Sequence, residues 1–191
     1  MSFLSKWFHG DKQQEWPPTR PDVVFSKTAP PPGPRYAPGT RIAYDDGLIT
    51  HLLDEHRKLL SLFTSISNAF VRGDFTHTVT FLRQFKSNLA AHLLTENVRL
   101  YVYLEHTFTD DEFSHILIHN MHQEMDAIGR NVLAFLSKYD ALDRDPVLSQ
   151  SFAAAANNIG QILSDRIKRE EETLYPLYMP IAQTTLDDVV P

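Results

Sequence analysis

Cysteine is absent from the 191 residues. Disulfides, thiolate metal ligands and cysteine nucleophiles are thereby excluded, and any metal must be held by nitrogen and oxygen atoms. The absence also fits a reducing compartment. No apolar run approaches the roughly 18 residues of a membrane span. Positive charge is in short supply: 18 Lys and Arg face 24 Asp and Glu, a formal net charge of −6. That argues against non-specific nucleic-acid binding, which needs a basic surface. The opening "MSFLSKWFHG" carries one lysine, too short an apolar core for a secretory signal, and no small-residue cleavage site after it. A cytoplasmic protein is expected. Strand signals are absent as well.

What is present divides into three parts. Residues 1–45 are crowded with proline, as in "EWPPTRPDVVFSKTAPPPGPRYAPGTR". Proline removes amide donors and fixes φ, so this segment reads as an extended, partly polyproline-like tail. Within it Phe3, Leu4, Trp7 and Phe8 can form one apolar edge, read first as an anchor onto the bundle or a second subunit. Residues 46–180 carry four helical patterns. The first runs from Asp45/Asp46 to about Arg72, ended by Gly73; the second from near Thr76 to about Glu105. The third opens on a Thr109/Glu112 capping box and runs to about Tyr139; the fourth opens on Asp145 and Pro146 and fades near "YPLYMP". Short links favour antiparallel neighbours, so the expected fold is all-α, an up-down-up-down four-helix bundle. Residues 181–191 form a C-terminal tail.

Ionisable residues interrupt the inward apolar rows. On the first helix it is His56; on the second, His92 and Glu96; on the third, His122; on the fourth, Arg166 and Glu170. Early positions on the first and third helices meet late positions on the antiparallel second and fourth. His56, His92, Glu96, His122 and Glu170 can therefore converge at one level. Burying unpaired carboxylates costs about several kcal/mol each, and a cation relieves that cost. Each residue alone reads first as a hydrogen-bonded core group; together they read as metal ligands. Histidine and carboxylate without sulfur suit iron or manganese, with zinc also open.

These residues resemble the hemerythrin-like, or HHE cation-binding, family over roughly residues 45–180. "LLDEHRKLLSLF" is similar to its first helix, "HLLTENVRLY" to its second, "NMHQEMDAI" to its third and "REEETLYPLY" to its fourth. The resemblance implies a non-haem di-iron site bridged by Glu96 and Glu170, with His56 and His92 on one iron and His122 near the other. Arg166 stands where the family usually has a histidine, and an arginine does not ligate. Three outcomes follow: a single iron, a second iron recruiting His115 or His119, or a guanidinium in place of the second metal. A single metal, or a weakened site, ranks first.

The implied function is binding or sensing of dioxygen, nitric oxide or redox state. No acid, base or nucleophile constellation lies outside the metal site, so a non-enzymatic role is expected. The alternative is a helical interaction module that docks a protein partner, or a second copy in a homo-oligomer, through its tail.

Overall fold

A computed structural model describes residues 35–180. Of the expected Pro-rich tail, residues 1–45, the stretch 1–34 lies outside the described residues, as does the expected C-terminal tail, residues 181–191. Among those described, the structure is all-helical, apart from one isolated bridge between Tyr36 and Ala43.

Four long helical rods carry the fold. The first is α1, Leu48–Val71. The second is α2, Phe75–Thr95, which continues without a break through a π-helical turn, Glu96–Tyr101, into α3, Val102–Thr107. The third is α4, Glu112–Lys138. The fourth is α5, Ser149–Arg169, followed by a second π-helical turn, Glu170–Leu174, and a 3-10 turn, Tyr175–Leu177. α1 packs on α2 and α5, and α4 packs on the same two helices.

The termini form where the sequence provides partners, with small shifts from the expected positions. α1 starts after Gly47, whose N–H donates to Asp45 Oδ1. It stops at Gly73, whose φ of 75° suits glycine. Asp74 caps α2 by accepting from the His77 N–H. At α4 the cap is Asp111, accepting from Ser114, in place of the expected Thr109/Glu112 box. Asp145 caps a short 3-10 turn, Pro146–Leu148, that leads into α5.

The inward rows bury as their spacing requires. On α1 the buried residues are Leu48, Leu52, His56, Leu59, Phe63, Ile66 and Ala69, three or four apart throughout. Phe63 meets Phe85 edge-on at 5.5 Å, and Phe152 of α5 lies 4.5 Å from Phe70 and 5.8 Å from Phe135, ring centre to ring centre. These aromatics tie all four rods together. A second apolar layer, with Leu52, Leu100, Tyr101, Met121, Leu174 and Tyr175, closes the core on the other side of His56.

Candidate metal centre

Between the two apolar layers, His56, His92, Glu96 and Glu170 meet. Each is at most 2% exposed, and one ligand atom from each lies within 4.8 Å of all the others. His56 Nε2 is 3.2 Å from His92 Nε2 and 3.3 Å from Glu170 Oε2. His92 Nε2 is 3.7 Å from Glu96 Oε2.

Helix geometry explains the grouping. His92 and Glu96 are one turn apart on the second rod, and His56 and Glu170 reach in from the two rods that flank the gap. The local backbone adds a feature that no periodicity signals. Both carboxylates sit on the first residue of a π-helical turn. A π turn closes on the fifth residue ahead, so that residue returns to the same face. It brings Tyr101 round behind Glu96, and Tyr175 round behind Glu170; both tyrosines are buried.

The hydrogen-bond directions decide what the centre can hold. His56 Nδ1 is 2.9 Å from Glu171 Oε1, and His92 Nδ1 is 3.0 Å from Glu55 Oε2. An ionised carboxylate only accepts, so each Nδ1 carries a hydrogen and each Nε2 faces the gap. Tyr175 donates its hydroxyl hydrogen to Glu96 Oε1 at 2.9 Å. Glu96 Oε2 is buried with no hydrogen-bond donor. Two imidazole Nε2 atoms and two carboxylate oxygens thus face one another, and the Tyr175 hydroxyl lies 3.2 Å from His56 Nε2. Ligand atoms held by one ion at about 2.1 Å lie roughly 3–4 Å apart, and the separations of 3.2, 3.3 and 3.7 Å fall in that range. The donor set and the orphaned oxygen fit a bound cation.

Protonation tells the same story in the cation-free chain. Burial works against charge on His56, yet Glu170 and Glu171 outweigh it and raise its pKa above the usual 6.5. Burial, followed by the repulsion of His56, holds His92 below that value. Burial and the charge of Glu170 push Glu96 well above the ordinary 4.5. Burial pushes Glu170 the same way, but the hydrogen bond from His56 and the charge of Arg166 outweigh it, so Glu170 lies below 4.5. Protons are drawn to His56 and Glu96 because the cluster is short of positive charge.

Arg166 supplies part of that charge. It is 1% exposed and donates from Nε to Glu170 Oε1 at 2.6 Å and from Nη2 to the Tyr101 hydroxyl. A longer bond of 3.4 Å runs from Nη1 to Glu124 Oε2, which Arg169 also holds through the second carboxylate oxygen. Burial opposes the guanidinium charge; Glu170 and Tyr101 more than restore it.

His122 is not brought into the cluster. Its ring stacks on Tyr101, 4.3 Å between centres and 7° from parallel, and its Nδ1 is 3.0 Å from Glu105 Oε1. It was expected in the row of Ile118 and Met125, but Met121 carries that row and His122 turns toward the second rod, partly exposed. His115 and His119 stack on each other 6.4 Å apart and do not belong to the cluster either.

Sequence reasoning missed Glu55, Glu171, Tyr101 and Tyr175, which orient the central groups. One signal was available. "HLLTENVRLY" and "RIKREEETLY" match as (His or Arg)-x3-Glu-x3-Leu-Tyr, from His92 to Tyr101 and from Arg166 to Tyr175. Each decad carries one π turn. Each tyrosine also has a histidine stacked on it: His122 on Tyr101, and His56 on Tyr175 at 5.6 Å. The centre is two similar halves that differ chiefly in His92 against Arg166.

Neither the curated proteins nor the solved structures include a match to this chain. The family model of the hemerythrin HHE cation binding domain matches residues 47–178, which hold all four rods and every residue of the cluster. The chain belongs to the hemerythrin HHE cation-binding domain family.

Proposed function

We propose that this protein binds non-haem iron through His56, His92, Glu96 and Glu170 and uses it to bind or sense dioxygen, nitric oxide or redox state. The observation that carries this reading is the meeting of four potential ligand atoms, one of them an orphaned carboxylate oxygen, in a buried layer. Iron would supply a Lewis-acidic, redox-active centre for a diatomic ligand. The chain's own groups prepare the place for it. Glu55 and Glu171 hold the Nδ1 hydrogens and thereby aim both imidazoles inward. Tyr175 fixes one oxygen of Glu96 and leaves the other free. Leu52, Leu100 and Leu174 exclude water from one side. His122 is left out of this ligand set.

The same reading takes the rods as an up-down-up-down bundle over residues 46–180, in a non-enzymatic cytoplasmic protein with tails at 1–45 and 181–191. No helix among the described residues is long and apolar enough to cross a membrane. A second reading, an interaction module docking a partner or a second copy through the N-terminal tail, draws support from Arg166, which already offsets part of the buried negative charge.

The test is iron content and the visible spectrum of protein purified from iron-supplemented medium. Near-stoichiometric iron supports the proposal. Iron-free protein whose thermal stability does not change on adding ferrous iron would overturn it.

A further inference from the structure

A carboxylate bridges two metal ions most simply by giving one oxygen to each. Here one oxygen of each buried carboxylate is already engaged by the chain. Glu96 Oε1 accepts from Tyr175, and Glu170 Oε1 accepts from Arg166 Nε. What remains is Glu96 Oε2 and Glu170 Oε2, the two oxygens that face His92 Nε2 and His56 Nε2. All the free ligand atoms therefore point to one place.

The other half of the centre is filled by the chain itself. Arg166 is the counterpart of His92 in the matched decads, four residues before its glutamate. Its guanidinium is 1% exposed and held by acceptors on three rods: Glu170, Tyr101 and Glu124. Arginine stays charged and does not ligate. A second metal ion on that side would meet a fixed positive charge and would lack a nitrogen ligand from this position. His122, the counterpart of His56, is turned to Glu105 and stacked on Tyr101.

We propose that the centre holds one metal ion per chain, with the Arg166 guanidinium as a built-in second cation. Glu96 and Glu170 then each bind through one oxygen, and their other oxygens belong to Tyr175 and Arg166. The inference rests on the metal-binding reading above and goes further by fixing the stoichiometry and the role of the arginine.

The full-length chain is loaded anaerobically with ferrous iron, freed of excess, and analysed for iron per chain. After oxidation its paramagnetic resonance spectrum is recorded. The expected result is one iron per chain and the resonance of a single half-integer-spin ferric ion. Two irons per chain with a silent, spin-coupled pair would overturn the one-metal inference and leave the metal-binding reading standing. No bound iron would sink both. Arg166→His should raise uptake toward two per chain; a folded variant that still takes one would overturn the blocking role of the arginine. Arg166→Lys retains the charge and should stay at one, whereas uptake of two there would count against the proposal. The wild-type stoichiometry decides the question even where a variant fails to fold.

Discussion

The Phe63–Phe85–Phe152 layer and the His56–His92–Glu96–Glu170 layer draw on the same helical rods and are equally buried. The aromatic layer is complete as folded: its rings meet edge-on or tilted, at 4.5 to 5.8 Å between centres, and leave no polar group unsatisfied. The polar layer is incomplete as folded. Its inward atoms are two imidazole nitrogens and two carboxylate oxygens, and Glu96 Oε2 has no hydrogen-bond partner. The aromatic layer therefore stabilises the bundle by itself, while the polar layer costs stability until a cation arrives. The comparison separates what holds this fold together from what it is shaped to bind.

The strongest way to break the comparison is to empty the aromatic layer. Phe152→Ala should cost about 3–5 kcal/mol in urea unfolding, the usual range for a buried phenylalanine. Iron uptake per folded chain should not change, because the rings that Phe152 packs against are Phe70, Phe135 and Tyr139. A loss of iron in folded protein would show that the layers are not independent.

Next comes the cation. Iron at about 100 times its dissociation constant should add about 2.7 kcal/mol, seen as a higher Tm that a chelator reverses. His56→Ala should abolish that increment, and Phe152→Ala should retain it.

A smaller effect concerns pH in the metal-free chain. A raised folded-state pKa means that the folded chain holds the proton more tightly than the unfolded one. The contribution of Glu96 is fully present below 4.5 and is lost as pH rises through its higher folded value. Glu170 acts in the opposite sense: its contribution is present above 4.5 and is lost as pH falls through its lowered value. Glu96→Gln places an amide donor beside the orphaned position. Metal-free Glu96→Gln should be more stable than wild type near neutral pH by about 1 kcal/mol, and should bind iron poorly. Chemical denaturation from pH 4 to pH 8 checks the sign; a wild type that gains stability relative to the variant as pH rises would refute it.

The smallest effect lies outside both layers. Asp74 caps α2, and the His77 N–H holds its pKa below the usual 3.8. Asp74→Ala should lower Tm modestly at neutral pH. The difference should fade as pH falls through the lowered pKa, since a protonated Asp74 caps poorly.

Much of this architecture is legible along the chain. The row Leu48, Leu52, His56, Leu59, Phe63 keeps helical spacing, so burial of its neighbours carries His56 inward with them. His92 and Glu96 share a helix face by the same arithmetic. The π turns at Glu96 and Glu170 were not legible, since they change the register of a helix without changing its polarity. Tyr175 lies five residues past Glu170, on the wrong face of an α-helix, and reaches the centre only because the backbone widens there. His122 shows the converse: its apolar neighbours suggested an inward position, but Met121 took the place and Tyr101 offered a flat ring to lie on.

By itself the sequence determined the helical rods, the absence of thiolate chemistry, and the inward placement of His56, His92, Glu96, Arg166 and Glu170. These follow from periodicity and composition, which are local properties. Only the tertiary structure decided which oxygen of each carboxylate is free, which nitrogen of each imidazole carries the hydrogen, and where the guanidinium lies. Those depend on donors and acceptors supplied by other rods — Glu55 on His92, Glu171 on His56, Tyr175 on Glu96, Tyr101 on Arg166 — and no spacing within one helix encodes a partner on another.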